Sequence, residues 1–182
     1  MSRSKKTIVV SAIAAVALAA VAFALRAEAD HAPLDAGTPL PAYAAVTVSG
    51  DSVSLEDMRG TPVLLNVWAT WCKPCVREMP ALERLHQELG PEGLAIVAVS
   101  VDNAAFGIAD PAHSVQSFSE EYGLTFTILL DPESRIETVF QVVGLPMTFL
   151  IDREGRVVQR IIGERDWDGP EMRAELRKLL EI

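Results

Sequence analysis

Cysteine is scarce in this chain, with two residues among 182, at positions 72 and 75. A framework of several disulfides is therefore excluded, because neither thiol has any other partner within the chain. Histidine is also scarce, and the three that occur, His31, His86 and His113, lack the spacing of metal ligands. A zinc site that uses both cysteines needs two more ligands, so the sequence disfavours this alternative.

Basic charge is in short supply over most of the chain. The chain has 25 acidic and 16 basic residues. One acidic residue and four basic residues precede Asp30, so residues 30–182 carry a net charge of −12. Nucleic acid and anionic membrane surfaces are disfavoured as partners of this region, because both repel an acidic protein. We attribute the acidity to solubility.

One long run lacks charge altogether, the eighteen residues from Ile8 to Leu25, which follow three basic residues. It is just long enough to cross a membrane, and the basic residues orient its N-terminus to the cytoplasm. Its length favours a signal anchor within residues 1–29. Ala27-Glu28-Ala29 leaves a signal peptide cleaved after Ala29 as the alternative. Both alternatives place the following domain on the periplasmic or extracytoplasmic side, anchored to the cytoplasmic membrane or released from it.

The two cysteines lie in the motif Trp71-Cys72-Lys73-Pro74-Cys75. Apolar residues from Val63 to Ala69 precede it and predict a buried central strand of a parallel sheet. A helical pattern follows through Leu89 and stops at Gly90. Cys75 falls on the apolar stripe of that helix, so we expect it to face the core and Cys72 to be the exposed thiol.

Two thiols at this spacing on a strand-to-helix junction are typical of a reversible dithiol–disulfide switch. The helix N-terminus favours a thiolate on Cys72, and Cys75 lies one turn further on, close enough to attack a mixed disulfide held on Cys72. In an oxidising compartment the pair becomes oxidised unless a reductant maintains it.

Glu78 lies three residues after Cys75 and about 60° from it on the helical wheel, inside the apolar arc. Because a charge in a buried stripe is costly, we expect a functional role. An ionised carboxylate raises the pKa of nearby thiols and can take up a proton when Cys75 attacks. The alternative is an ordinary first-turn glutamate favoured by the helix dipole.

Strand and helix patterns alternate along the rest of the chain, which predicts an α/β sandwich. Residues 30–41, with three prolines, are assigned to a linker, and residues 42–182 to one domain. The other predicted elements are a hairpin of strands 44–48 and 52–55, strand 94–101, an insertion at 102–113, helix 114–122 capped by Ser114, strand 125–130, helix 133–140, strands 148–151 and 157–162, and helix 168–180.

A known family shares the most specific of these features. The run Asn66-Val67-Trp68-Ala69-Thr70-Trp71-Cys72-Lys73-Pro74-Cys75-Val76-Arg77-Glu78-Met79-Pro80, with Gly144-Leu145-Pro146-Met147-Thr148-Phe149 downstream, resembles the TlpA/ResA-type thioredoxin-like reductases of bacteria. The resemblance implies a thioredoxin-like α/β fold with an N-terminal β-hairpin and a central insertion. It implies a membrane-anchored thiol:disulfide oxidoreductase that reduces protein disulfides and needs no cofactor.

The resemblance also implies roles for single residues. Cys72, Cys75, Glu78 and Pro146 are the expected catalytic residues, Pro146 as a cis-proline packed against the disulfide. Leu145 offers its backbone to an incoming polypeptide as if adding a strand, and we expect Trp71, Lys73 and Pro74 to contact the same substrate. The implied partners are a transmembrane electron donor and substrates in cytochrome c or copper-oxidase maturation.

The chain departs from cytoplasmic thioredoxins six residues before the first cysteine. A buried aspartate occupies that position there, and Asn66 occupies it here. An amide cannot take up a proton, so a carboxylate that serves Cys75 must come from elsewhere in the chain.

Two other functions remain open from the sequence. A thiol peroxidase of the same fold uses one peroxidatic cysteine, commonly after Thr-x-x, and the vicinal Pro74-Cys75 argues against it. A Cu(I)-binding chaperone would use both thiolates as soft ligands, but such carriers typically add a histidine and space their cysteines further apart. Peroxide consumption and stoichiometric retention of Cu(I) discriminate between these functions.

Overall fold

A computed structural model describes residues 34–181 and, apart from them, the single helical position Leu18. The rest of the predicted anchor or signal segment lies outside the described residues. Within the described part of the chain, no helix has the length and apolar character needed to cross a membrane.

A single mixed sheet forms the centre of the region 34–181. Its strands are β1 (Ala44–Thr47), β2 (Ser52–Ser54), β3 (Val63–Trp68), β4 (Ala95–Ser100), β5 (Thr127–Leu130), β6 (Met147–Ile151) and β7 (Val157–Ile162). Their order across the sheet is β2-β1-β5-β4-β3-β6-β7. The three central strands β5, β4 and β3 run parallel, and the outer strands pair antiparallel with their neighbours.

Helices connect and follow these strands, as the predicted α/β class requires. They are α1 (Lys73–Leu89), α2 (Pro111–Tyr122), α3 (Arg135–Val139) and α4 (Pro170–Glu181), with short 3₁₀ turns at Leu55–Met58 and Ala104–Phe106. Apart from the start of α2, the predicted elements are present with boundaries that shift by two residues or fewer.

All six residues of β3 are buried, which confirms the prediction of a central strand. The sheet around it is mixed, not the parallel sheet that the apolar run indicated. β4 lies parallel to β3 on one side, whereas the β6–β7 hairpin adds to its other side in the opposite direction. The strand that precedes the cysteines therefore joins the parallel and antiparallel halves of the sheet.

The predicted start of α2 at Ser114 is also wrong. The helix begins at Pro111, and the side chain of Asp110 accepts a hydrogen bond from the backbone N–H of His113 at 3.1 Å. An aspartate cap followed directly by proline is a stronger start than a serine three residues later, because proline is pre-organised for the first helical position. The predicted insertion at 102–113 therefore contains the first turn of α2.

Part of the segment that we assigned to a linker runs alongside β7. The backbone N–H of Gly37 donates to the carbonyl of Val157, and the N–H of Val157 donates to Thr38. Leu40 donates in the same way to Gly155, and Leu34 is buried. Backbone pairing and burial thus join residues 34–40 to the domain edge.

A buried carboxylate ties α1 to the segment before β5. Glu83 is 6% exposed and accepts hydrogen bonds from the backbone N–H and the hydroxyl of Thr125, at 2.7 and 2.6 Å, and from Gln87 at 2.9 Å. Burial alone would raise the pKa of Glu83. These hydrogen bonds, with the nearby charge of His86, outweigh it and hold the pKa below its ordinary value.

Replacing Glu83 with Gln should therefore lower the free energy of unfolding by about 1–3 kcal/mol at pH 7, because buried donors lose a charged acceptor. A carboxyl group whose pKa is depressed by folding stabilises the protein above its unfolded pKa, and this stabilisation is lost as pH falls through the folded-state pKa. The difference between the two proteins should shrink over that range. Urea unfolding of the oxidised proteins at a series of pH values measures it.

Glu92→Gln is the matched control, because Glu92 lies exposed in the turn after α1 and accepts a hydrogen bond from Arg177. Exposed ion pairs contribute little, so this variant should resemble the unmodified protein. Equal losses in both variants, or a loss for Glu83→Gln that persists at low pH, would contradict the assignment.

Candidate active site

The two cysteines lie where β3 passes into α1, as predicted. Cys72 is the N-cap of α1, and Pro74 occupies the first turn. The two sulfur atoms form a disulfide, with the Cα atoms 5.3 Å apart. The backbone N–H of Cys75 points at Cys72 Sγ, 3.3 Å away. When the disulfide is reduced, this N–H and the helix N-terminus stabilise negative charge on Cys72.

The two sulfur-bearing residues differ in exposure in the predicted order. Cys75 is completely buried, as its helical phase requires. Cys72 is the more accessible, but at 6% it is mostly covered, so the expectation of a plainly exposed thiol is corrected. A substrate disulfide must therefore approach Cys72 from the one side that is left uncovered.

A groove of about 680 Å³ supplies that approach. It brings Cys72 together with the four residues expected to contact the substrate. Trp71, Lys73 and Pro74 adjoin Cys72 in sequence, whereas Leu145 comes from the loop before β6. Its lining consists of Trp71, Cys72, Lys73, Pro74, Glu137, Val142, Val143, Gly144 and Leu145. Trp71 is partly exposed and stacks on Phe106, with ring centroids 4.3 Å apart. The floor and rim are therefore largely apolar, with one charge of each sign.

Pro146 follows the groove directly. The peptide bond between Leu145 and Pro146 is cis, as the resemblance implied. Pro146 is buried just before β6, while Leu145 lines the groove with Cys72. The loop before β6 therefore forms one wall of the same groove whose other wall carries Cys72.

A second buried carboxylate fixes the loop that leads to Cys72. Asp102 is 1% exposed and accepts hydrogen bonds from the backbone N–H and hydroxyl of Thr70, at 3.0 and 2.6 Å, and from the hydroxyl of Ser100 at 2.6 Å. Sequence reasoning placed Asp102 in an insertion and gave it no role. An aspartate directly after a buried strand was the signal available.

Glu78 is buried beneath the pair, as its place in the apolar arc predicted. It is 2% exposed, and both carboxylate oxygens accept hydrogen bonds. Oε1 accepts from Asn66 Nδ2 at 2.8 Å, and Oε2 accepts from Trp167 Nε1 at 2.9 Å and from the backbone N–H of Arg165 at 3.4 Å. Burial raises the pKa of Glu78 above its ordinary value, although these hydrogen bonds act in the opposite direction.

Asn66 occupies the strand position beside this carboxylate. Its amide nitrogen donates both to Glu78 and to the hydroxyl of Thr148 on β6, the latter at 2.9 Å. The sequence required that any carboxylate at the site come from outside β3, and the carboxylate next to Asn66 belongs to Glu78. The amide and the acid are thus neighbours, with the amide as donor.

Trp167 is a further member of the site that the sequence did not reveal. It is completely buried, although it lies in a polar segment between β7 and α4. A lone tryptophan among charged residues indicates burial, but nothing local indicates that its indole N–H reaches Glu78. Within residues 34–181, no three metal-ligating side chains are grouped to hold an ion.

This arrangement is suited to two-electron exchange between thiols and disulfides. One sulfur lies at a groove and at a helix N-terminus, and the second lies behind it within disulfide reach. A carboxyl group with a raised pKa lies one helical turn from the buried cysteine, a position from which it can exchange a proton with that cysteine.

Known proteins share this architecture. Thiol-disulfide oxidoreductase ResA of Geobacillus kaustophilus is 35% identical over 133 residues, which make up 72% of either chain. The thioredoxin-like protein YneN of Bacillus subtilis is 45% identical over 95 residues, and the match spans 53% of YneN, about half its length. A solved structure from Chlorobium tepidum, described as a thiol:disulfide interchange protein DsbE, superposes with a TM-score of 0.71 at 30% identity. The superposition covers 81% of this chain and 99% of that one.

The structural match confirms that the fold is thioredoxin-like. A sequence model of the AhpC/TSA family matches residues 36–160, a range that contains both cysteines and the loop before β6. Together with the ResA relative, which matches over nearly three quarters of the chain, this extent decides the assignment. The chain belongs to the AhpC/TSA family and, within it, to the ResA-type thiol-disulfide oxidoreductases.

Proposed function

We propose that this protein reduces disulfide bonds of other proteins on the extracytoplasmic side of a membrane. One observation carries the proposal: the Cys72–Cys75 disulfide opens on an apolar groove and has the buried carboxyl group of Glu78 behind it. The groove suits a polypeptide, because the backbone of the loop before β6 lines it opposite Cys72. The carboxyl group suits a reductant. Its negative charge destabilises the thiolates of the reduced pair, and a pair whose reduced form is destabilised is a weaker oxidant.

The first half of the reaction takes place at Cys72. Its thiolate attacks one sulfur of the substrate disulfide, a bond forms between that sulfur and Cys72 Sγ, and the substrate's own S–S bond breaks. The second substrate sulfur leaves as a thiolate and takes a proton from solvent. The product is a mixed disulfide that lies in the groove.

The second half takes place behind Cys72. Cys75 gives its proton to Glu78, and its sulfur attacks Cys72 Sγ. The Cys72–Cys75 bond forms, and the mixed disulfide breaks. The remaining substrate sulfur leaves as a thiolate and is protonated. Two electrons have then passed from the protein to the substrate, so a dithiol donor must reduce the Cys72–Cys75 bond before the next cycle.

The N-terminal sequence and the family resemblance support our proposals for the location and the partners. The uncharged run from Ile8 to Leu25 supports an anchor in the cytoplasmic membrane, with residues 30–182 outside. An electron donor in the same membrane fits this position. As substrates we propose disulfides of apocytochrome c or of copper-oxidase maturation factors, the classes that the resemblance implies.

In growing cells, Cys72 and Cys75 should be largely reduced, although their compartment oxidises unprotected thiols. Acid quenching followed by alkylation with a mass-adding maleimide shows the thiol state as a gel shift. The result is unambiguous, because the chain has no other cysteine. A membrane-impermeant maleimide should label the same thiols in intact spheroplasts. A fully oxidised pair would contradict the role of reductant, and labelling only after lysis would contradict the location.

Cys75→Ser should accumulate covalent adducts with substrate proteins, because Cys72 still attacks but nothing resolves the mixed disulfide. Cys72→Ser should not, because Cys75 is completely buried. Non-reducing gels of affinity-purified variants, followed by identification of the bound proteins, provide the measurement. Adducts on the Cys72→Ser variant would reverse the two roles.

Glu78→Gln should lower the pKa of the cysteine thiols and slow disulfide reduction, because it removes a negative charge and a proton acceptor. The raised pKa of Glu78 also predicts a pH dependence. As pH falls through that raised pKa, Glu78 becomes protonated and can no longer accept a proton. The rate should therefore fall on the acid side at a pH above the pKa of an ordinary glutamate. This fall should be absent in Glu78→Gln. Thiolate absorbance and single-turnover rates measure the two effects. Identical titrations and rates in both proteins would leave Glu78 a helix-start residue.

A further inference from the structure

Trp167 is completely buried, and its indole N–H points at the carboxyl group of Glu78, although no step above uses it. It lies 89 positions from Glu78 along the chain, between β7 and α4. A buried indole is a large apolar group that needs one hydrogen-bond acceptor. Here that acceptor is the ionisable group next to the redox pair, so the contact bears on chemistry as well as on packing.

The two oxygens of the Glu78 carboxyl group are not equivalent. Oε2 faces the indole N–H of Trp167 and the backbone N–H of Arg165, at 2.9 and 3.4 Å. Both groups can only donate, so a proton on Oε2 would have no acceptor on that side. Oε1 faces Asn66, whose side chain carries a donor and an acceptor on the same carbon.

Asn66 can serve either protonation state of Oε1. In the structure its Nδ2 donates to Oε1, which suits an ionised carboxylate. Its Oδ1 is buried and has no hydrogen-bond partner among the described residues. Turning the amide group by half a revolution exchanges the two atoms and gives a protonated Oε1 an acceptor. The Thr148 hydroxyl, which contacts the same amide, donates as readily as it accepts and can follow.

We propose that Trp167 is a positioning residue that holds Oε2 of Glu78 as a fixed acceptor, so that the proton released by Cys75 is carried on Oε1 against Asn66. The inference rests on the proton-accepting role proposed above for Glu78. In the step itself, the S–H bond of Cys75 breaks, its electron pair stays on sulfur for the attack on Cys72, and the proton forms the O–H bond on Oε1. The proton leaves later with the departing substrate thiolate.

The charged surroundings of Glu78 fix the direction of the expected change. Burial raises its pKa, the donors Trp167, Asn66 and Arg165 lower it, and the charge of Glu164 raises it again. Glu164 is itself paired with Arg77 on α1. Removal of the indole N–H takes away a donor that stabilises the ionised form and leaves the other influences in place, so the carboxyl group should then protonate at higher pH.

The test compares Trp167→Phe with Trp68→Phe in the full-length oxidised protein, by ¹³C NMR titration of the Glu78 carboxyl carbon. Trp68 is the matched control, because it is also completely buried and its indole N–H has no hydrogen-bond partner among the described residues. The titration midpoint should move upward in Trp167→Phe and stay in place in Trp68→Phe. An unmoved midpoint in Trp167→Phe, or an equal shift in both variants, overturns the proposal.

Measurements on the reduced protein separate this inference from the function on which it rests. Trp167→Phe should lower the midpoint of thiolate formation in the same direction as Glu78→Gln, and should slow the resolving step at neutral pH by about tenfold to a hundredfold, the effect of losing one hydrogen bond to a charged group. In the Glu78→Gln background it should change neither. If Glu78→Gln leaves the thiols unaffected, the role of Glu78 fails. If Glu78→Gln acts but Trp167→Phe does not, the role of Trp167 alone fails.

A third variant guards against loss of the fold. Benzothienylalanine, inserted at position 167 by nonsense suppression, keeps the shape of the indole and replaces its N–H with sulfur. It should reproduce the upward shift of the Glu78 midpoint with circular dichroism unchanged. A midpoint equal to that of the unmodified protein would show that shape alone, and not the hydrogen bond, matters at this position, and would overturn the proposal.

Discussion

A carboxylate can be buried in a protein core only where hydrogen-bond donors surround it. Because Glu78 is buried, several segments of the domain must supply donors to its carboxyl group. Its donors come from β3, through Asn66, and from the segment between β7 and α4, through Trp167 and the backbone of Arg165. Thr148 on β6 contacts Asn66 in turn. One buried charge thus joins the strand before the cysteines, the strand after the cis-proline and the approach to the C-terminal helix. The carboxyl group three residues after Cys75 is therefore held by residues nearly ninety positions further along the chain.

The domain contains a second buried acid at the active site, and the contrast with Glu78 separates support from chemistry. Both oxygens of Asp102 accept short hydrogen bonds, from Thr70 and Ser100, and these bonds hold the loop that carries Trp71 and Cys72. Glu78 instead adjoins an amide with an unused acceptor. The contacts of Asp102 hold a loop in place, whereas an acid beside an amide can have a hydrogen-bond partner in both protonation states. The first arrangement suits a structural role, and the second suits the proposed role in proton transfer.

Local periodicity was sufficient to predict the half of the site that lies on one continuous stretch of chain. The apolar run of β3 and the 3.6-residue repeat of α1 place Cys75 and Glu78 inward, and the structure agrees, because a helix fixes the directions of its own side chains. Trp167, Thr148 and Asp102 come from distant segments, and no local pattern indicates which residues each of them contacts. The predicted start of α2 was wrong for a local reason. Asp110 and Ser114 are both acceptable caps, and only Pro111 decides between them.

The exchange of an acid for an amide on β3 has a physical consequence for the way this site moves protons. An aspartate at position 66 would face Glu78 across the 2.8 Å contact that Asn66 now makes, and two carboxylates so close cannot both ionise readily. With an amide on the strand, the proposed proton-accepting group lies on α1, three residues from Cys75 and on the same helical face. Acceptor and nucleophile then move as parts of one rigid element. The sheet contributes a neutral amide beside the acid, and the spacing of Glu78 and Cys75 is set by α1 alone.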